Sequence, residues 1–249
     1  MNDGKKWLIG AVAAVGVAVG VPALFFRARS GSLDQQVESI QEREREEDPS
    51  ARYEGLDPKI AELEGITQDA QFSRLSGQKQ EYVRGRLAEL RAYQDYEKSL
   101  DQVADPKQAR DDRQLRQIRE KLTGIGVPAA YQADWALTAA VRRHGERLAD
   151  VRALDTVVYD VRRDYQRIAD EGADVVRKKD APDLPGRARQ VLRKAKELPD
   201  PQRDRDKAIP GSGRVTYGTV FRFAEVASAY TAWERVKKSL EPVAALGGP

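Results

Sequence analysis

The sequence predicts an all-α protein, with an N-terminal single transmembrane helix followed by an elongated helical bundle of coiled-coil character. Three observations carry this. Residues 7–26 form a 20-residue apolar run without a charge. Apolar side chains recur at spacings of three and four through most of the remaining chain. No segment alternates apolar and polar residues between hairpin turns.

The apolar run would extend roughly 30 Å as a helix, which matches the hydrocarbon core of a bilayer. Lys5 and Lys6 precede it, and Arg27 and Arg29 follow it. Ala28-Arg29-Ser30 offers the small residues of a cleaved secretory signal, but signal cores run to about 7–15 residues, so length favours an anchor over residues 1–30. A short lysine-bearing N-terminus is usually retained in the cytoplasm, which would place the large domain outside it. The membrane is then an expected partner. Gly16 and Gly20 form a small-xxx-small pair through which two anchors could associate, giving possible self-association.

Residues 31–57 read as an acidic juxtamembrane stalk. Between residues 31 and 70 there are 12 acidic and 4 basic side chains, while residues 177–214 reverse the balance with 12 basic and 6 acidic. Acidic residues next to an anionic lipid surface are repelled from it, so this stretch is expected to be solvated.

Residues 58–179 read as the helical bundle. Asp48-Pro49, Asp57-Pro58, Asp105-Pro106 and Asp200-Pro201 each set a good N-cap before a residue favoured at the first helical position, predicting four helix starts. Val83, Leu87, Leu90, Tyr93, Leu100 and Val103, then Leu115, Ile118, Leu122 and Ile125, give two amphipathic stripes. A long heptad helix is predicted over 128–179. Its seam runs Leu137, Val141, His144, Leu148, Val151, Leu154, Val158, Val161, Tyr165 and Ile168, with a stammer after Val151. Gly145 and Gly172 are its expected weak points, since glycine costs about 1 kcal/mol against alanine in a helix. The segments 78–104 and 106–122 are expected to fold back on this helix through the turn at 124–128, because short connections favour antiparallel neighbours.

Residues 180–214 form a basic segment. Arg187, Arg189, Arg193, Lys194 and Lys196 could attract phosphate or another polyanion. Residues 177–214 contain no Phe, Tyr or Trp, which argues against single-stranded nucleic acid as a partner. The bland explanation is a solvated helix, or one paired with the acidic stretch. Gly211-Ser212-Gly213 reads as a flexible connector. Residues 215–249 form an aromatic-rich helix and tail, in which Phe223, Val226, Tyr230, Trp233 and Leu240 share one face and Tyr217 and Phe221 another. Apolar residues all round imply a helix sandwiched within the bundle.

Cysteine is absent, which removes disulfides, thiolate zinc sites and cysteine nucleophiles. His144 is the single histidine; it cannot supply a di-iron bundle, and its seam position reads as packing. Asp160 and Asp164 interleave with Arg162, Arg163 and Arg167 as surface ion pairs. No catalytic residue, cofactor site or metal ligand is assigned. The expected function is a non-enzymatic membrane-anchored scaffold or tether that organises partner proteins through its helical domain. The alternative is a polyanion-binding module.

Overall fold

The computed structural model describes residues 32–178 and 183–246. Its helices are α1 (Leu33–Glu46), α2 (Leu56–Gln68), α3 (Gly77–Asp101), α4 (Asp112–Gly124), α5 (Gln132–Trp135), α6 (Ala139–Arg177), α7 (Leu184–Glu197), α8 (Tyr217–Val220) and α9 (Ala224–Ala245). Among the described residues there is no strand, only an isolated antiparallel bridge between Ala208 and Thr216. The protein is an all-α helical bundle.

Side chains set most of the long helices' starts. Ser32 Oγ accepts from Gln35 N at 3.3 Å and Gln35 Oε1 accepts from Ser32 N at 3.0 Å, a reciprocal capping box for α1. Ser76 caps α3, Asp111 caps α4 and Thr138 caps α6. The Asp-Pro pairs behave less uniformly than predicted. Pro58 lies in the first turn of α2 and Asp105 caps a 3-10 turn, Pro106–Gln108. Asp48 and Asp200 instead hold their own turns, accepting from Ser50 N and from Gln202 N and Arg203 N. The carboxylate chemistry is the same in each case; tertiary packing decides whether a helix continues.

Two hydrophobic cores result. The first gathers α1, α2 and α3 through Val37, Ile40, Leu63, Val83 and Leu90, and closes on Trp135 and Ala140. The second gathers the end of α3, α4, α6, α7 and α9 through Leu100, Leu122, Leu154, Ile168, Phe223 and Leu240. The acidic stretch is therefore no free stalk. Leu33, Val37 and Ile40 bury one face of α1, and its carboxylates meet the neighbouring helices: Asp34 and Glu38 pair with Lys79 at 2.6 and 2.7 Å, and Glu47 with Lys59 at 3.0 Å.

Inside this first core lies an ionic network. Arg86, 7% exposed, donates to Glu44 at 2.7 Å, Glu89 at 2.8 Å and the Arg52 carbonyl at 3.2 Å. The Tyr82 hydroxyl donates to Glu44 at 2.7 Å, and the Tyr53 hydroxyl donates to Glu89. Both carboxylates are thus satisfied from two sides, as buried charges require.

The seam is observed from His144 to Ile168, where Val151, Leu154, Val158, Val161, Tyr165 and Ile168 are buried. The helix begins at Ala139, however, not near 128. Pro128 leads instead into a 3-10 turn and then α5. Trp135 is fully buried there among Tyr53, Tyr93, Tyr96 and Tyr131, so the chain turns away to seat it, and Leu137 is left 69% exposed. The helix that lies along most of α6 is α9, with α7 packed against both; α4 also packs on α6, while most of α3 belongs to the first core. The aromatic C-terminal segment, expected as one helix, is broken at residues 221–223 into α8 and α9, and Phe223, Val226 and Trp233 are buried in the second core.

Neither helical glycine breaks α6. A Cβ at Gly172 would lie 2.5 Å from Val236 Cγ1 and 2.9 Å from Leu240 Cδ1, so this glycine lets α9 approach closely; a Cβ at Gly145 meets nothing within 4 Å. Gly145→Ala is expected to raise stability by about 0.5–1 kcal/mol. Gly172→Ala gains the same propensity but overpacks the contact, and its net effect should be a loss of about 1 kcal/mol. Urea unfolding of the two variants checks the opposite signs.

The cores meet at His144. Its Nε2 lies 2.9 Å from the Leu122 carbonyl and its Nδ1 3.0 Å from the Tyr96 hydroxyl. A carbonyl only accepts, so Nε2 carries the proton, and in the neutral ring Nδ1 accepts from Tyr96. Burial pushes the Tyr96 hydroxyl up to about 12 and raises Tyr53, Tyr82 and Tyr165 further. The folded state holds these protons more tightly than the unfolded chain does. Their contribution to stability is complete below the ordinary tyrosine value of 10.0 and is lost as pH rises through the folded values. In an alkaline titration, phenolate absorbance from these residues should appear together with loss of helical circular dichroism. Complete ionisation with the helices intact would contradict their burial.

The single-pass membrane localisation expected from the sequence requires correction. Among the described residues no helix is long and apolar enough to cross a membrane. The long helices are amphipathic and bury their apolar faces against one another; even α9 carries Glu225, Glu234, Lys237, Lys238 and Glu241 along its length. The run at residues 7–26, with Gly16 and Gly20, lies outside the described residues, and the assignment of one side of a membrane falls with the localisation.

Candidate functional site

The first turns of α6 form one wall of an open groove of about 590 Å³ lined by Ala139, Arg142, Arg143, Glu146, Arg147 and Arg214. Thr138 fixes where this wall starts. Its hydroxyl donates to the Trp135 carbonyl at 2.7 Å and accepts from Val141 N at 3.4 Å. From that cap, spacings of three and four along the helix bring Ala139, Arg142, Arg143, Glu146 and Arg147 to the same side.

The arginines are held to different degrees. Arg147 donates to the Leu100 and Val103 carbonyls at 2.7 and 3.2 Å, closing the C-terminal end of α3 with a cation as its dipole favours. Arg143 lies 3.2 Å from Asp101 and 4.0 Å from Glu97. Burial raises the Glu97 carboxyl above its ordinary value, with Arg143 opposing. The Nε atoms of Arg143 and Arg147 are buried without a hydrogen-bond partner among the described residues. Arg142 is exposed, and none of the described residues forms a hydrogen bond or ion pair with its side chain.

Arg214 closes the far side. Its guanidinium lies 3.1 Å from Glu146 and 3.5 Å from both Asp105 and Asp150. Asp150, 2% exposed, accepts from the Ser212 hydroxyl at 2.6 Å. Ser212 Oγ in turn accepts from Arg214 N at 3.1 Å and Val215 N at 3.0 Å. Gly211 supplies the left-handed φ of 80° that the turn needs. With Ile209 and Val215 buried and Ile209 N bonded to Val215 O at 3.0 Å, this loop is a built element, not the flexible connector the sequence suggested. The Ser212 oxygen is committed to backbone amides on both lone pairs, so the pair with Asp150 serves the turn and is not an activated nucleophile.

The basic segment divides into α7, a turn and the loop before α8. One face of α7 buries Ala188 and Val191. Arg187 lies 3.7 Å from Asp174 and Lys194 2.8 Å from Glu171, both on the last turns of α6. Arg187 and Lys194 are thus paired with the end of α6 and not with the acidic residues near the N-terminus. Arg189, Arg193, Lys194 and Lys196 also belong to α7, and Lys196 borders a second cleft, of about 320 Å³, whose lining includes Tyr165, Tyr230 and Trp233. Of the five cations, Lys196 alone lines this cleft. Among the described residues no group of three or more His, Cys, Asp or Glu side chains could hold a metal ion.

The sequence reading missed the arginine groove. Arg142 and Arg147 lie off the apolar seam of the long helix, and Arg214 lies far along the chain. No local signal marks it, because the groove forms only once the fold starts α6 at Ala139 and brings Arg214 beside it. Comparison with protein-family models, curated proteins and solved structures finds no match to this chain.

Proposed function

We propose that the chain is a non-enzymatic scaffold whose rigid helical body organises partner proteins. The observation that supports this is the membership of α6 in both cores, through Ala140 in the first and Val151 to Val175 in the second. Its 39 residues extend about 58 Å at 1.5 Å per residue, so surfaces at the two ends are held at fixed separation. The arginine groove lies at one end of this rod. A polyanion-binding role for α7 has weaker support, since Arg187 and Lys194 already face carboxylates.

Photo-reactive residues placed in the full chain at Leu137, 69% exposed just before α6, and at Arg177, exposed in its last turn, test the scaffold. Reproducible protein adducts that differ between the two positions are expected. Absence of protein adducts at both would contradict the proposal.

A further inference from the structure

We infer that the cleft between α7 and α9 binds an uncharged aromatic small molecule that carries a hydrogen-bond acceptor. The scaffold reading makes no use of this cleft, and the inference stands apart from it. Leu192 and Ala195 of α7, Leu198 just after it, and Tyr230 and Trp233 of α9 line a space of about 320 Å³, within the range of small-molecule sites, about 300–1,000 Å³. Tyr165 of α6 closes the end. Its ring meets that of Tyr230 edge to face at 5.2 Å, and its hydroxyl is spent on the Pro199 carbonyl at 2.5 Å. Burial raises the Tyr230 hydroxyl above its ordinary value, as a poorly hydrated wall should.

Charge does not select the ligand. The lining sets Lys196, Arg203 and Lys237 against Asp200, Glu234 and Glu241. Arg203 is spent on Asp204 at 2.7 Å and on the Lys196 and Leu198 carbonyls, Lys237 on Glu234 at 3.2 Å, and Asp200 accepts from the Gln202 and Arg203 amides. What is left is one cation, Lys196, and one carboxylate, Glu241, so a charged ligand would shed its hydration for no net attraction. One built polar group does select. Trp233 is 4% exposed, and no described residue accepts from its indole N–H. That atom is not sealed as the unpartnered N–H of Trp135 is, so the donor opens onto the cleft that its ring lines. An apolar ligand without an acceptor would leave it unpaired, at the cost of a buried donor; a flat ring with a carbonyl satisfies it while packing on the Trp233 and Tyr230 rings.

The probe is coumarin, a neutral fused aromatic with a carbonyl acceptor, titrated into the isotope-labelled full chain and followed by the indole N–H signals in NMR. The tryptophans are Trp7, Trp135 and Trp233, and the signal lost in Trp233→Phe identifies the last. That signal should shift saturably while the Trp135 signal stays in place. Ala195→Phe, at a half-buried position of α7, fills the cleft and should weaken binding about ten-fold or more, with helical circular dichroism unchanged. Lys196→Met should leave the affinity for coumarin within about two-fold, because an uncharged ligand does not draw on the ammonium. Absence of a saturable shift at Trp233, an equal shift at Trp135, or undiminished binding by Ala195→Phe would overturn the proposal. So would tighter binding of the carboxylate derivative of coumarin than of coumarin itself, lost in Lys196→Met, which would assign the cleft to an anion.

Discussion

Arg86→Met is expected to destabilise the protein by about 3–5 kcal/mol, the cost of removing one partner from a buried ion network. The methionine fills much of the volume, so packing is nearly conserved and electrostatics dominate. Glu44 and Glu89 would keep only the Tyr82 and Tyr53 hydroxyls as donors, and the Arg52 carbonyl would lose its guanidinium. Two carboxylates with side chains 15% and 17% exposed would then repel each other in a poorly hydrated site. Thermal unfolding of the variant and the parent measures the loss; a deficit below about 1 kcal/mol would show that the network does not depend on its cation.

Val158→Asp should cost at least about 4 kcal/mol. Val158 is 2% exposed in the second core, among the buried residues of α6 and α9. A carboxylate there would lose its hydration, and the neighbours it would meet are apolar. Two residues on, Asp160 faces outward and pairs with Arg163 at 3.1 Å, with both side chains about half exposed. Asp160→Ala should change stability by less than about 0.5 kcal/mol, as exposed pairs contribute little. Urea unfolding of both variants gives the comparison, and equal tolerance would mean that the buried face of α6 is elsewhere.

Much of this was legible in the sequence wherever the information is local. The spacing from His144 to Ile168 marks the buried face of α6 because a helix repeats every 3.6 residues, and all-round apolarity before Ala224 marked a segment buried in the second core, though not its break into α8 and α9. The start of α6 was not legible, because Trp135 draws the chain into a cage of tyrosines contributed by α3 and the turn before α2. Its main partner was misjudged for a related reason. Loop lengths suggest neighbours, but the close approach at Gly172 selects α9, more than fifty residues away along the chain. The groove was hidden because charge counted along the sequence weighted residues 177–214, while the fold neutralises part of that stretch against Glu171 and Asp174 and brings Arg214 to Arg142 and Arg147 instead.

A helix running unbroken through both cores is the premise on which the scaffold stands, and the absence of cysteine makes it directly measurable. Arg142→Cys and Arg167→Cys place two spin labels at exposed positions of α6, 25 residues apart. Electron–electron double resonance should return a single narrow distance near 38 Å, the rise of about 1.5 Å per residue over that interval. A broad distribution, or a markedly shorter distance, would show that α6 bends between the cores and that the two ends are not held in fixed relation.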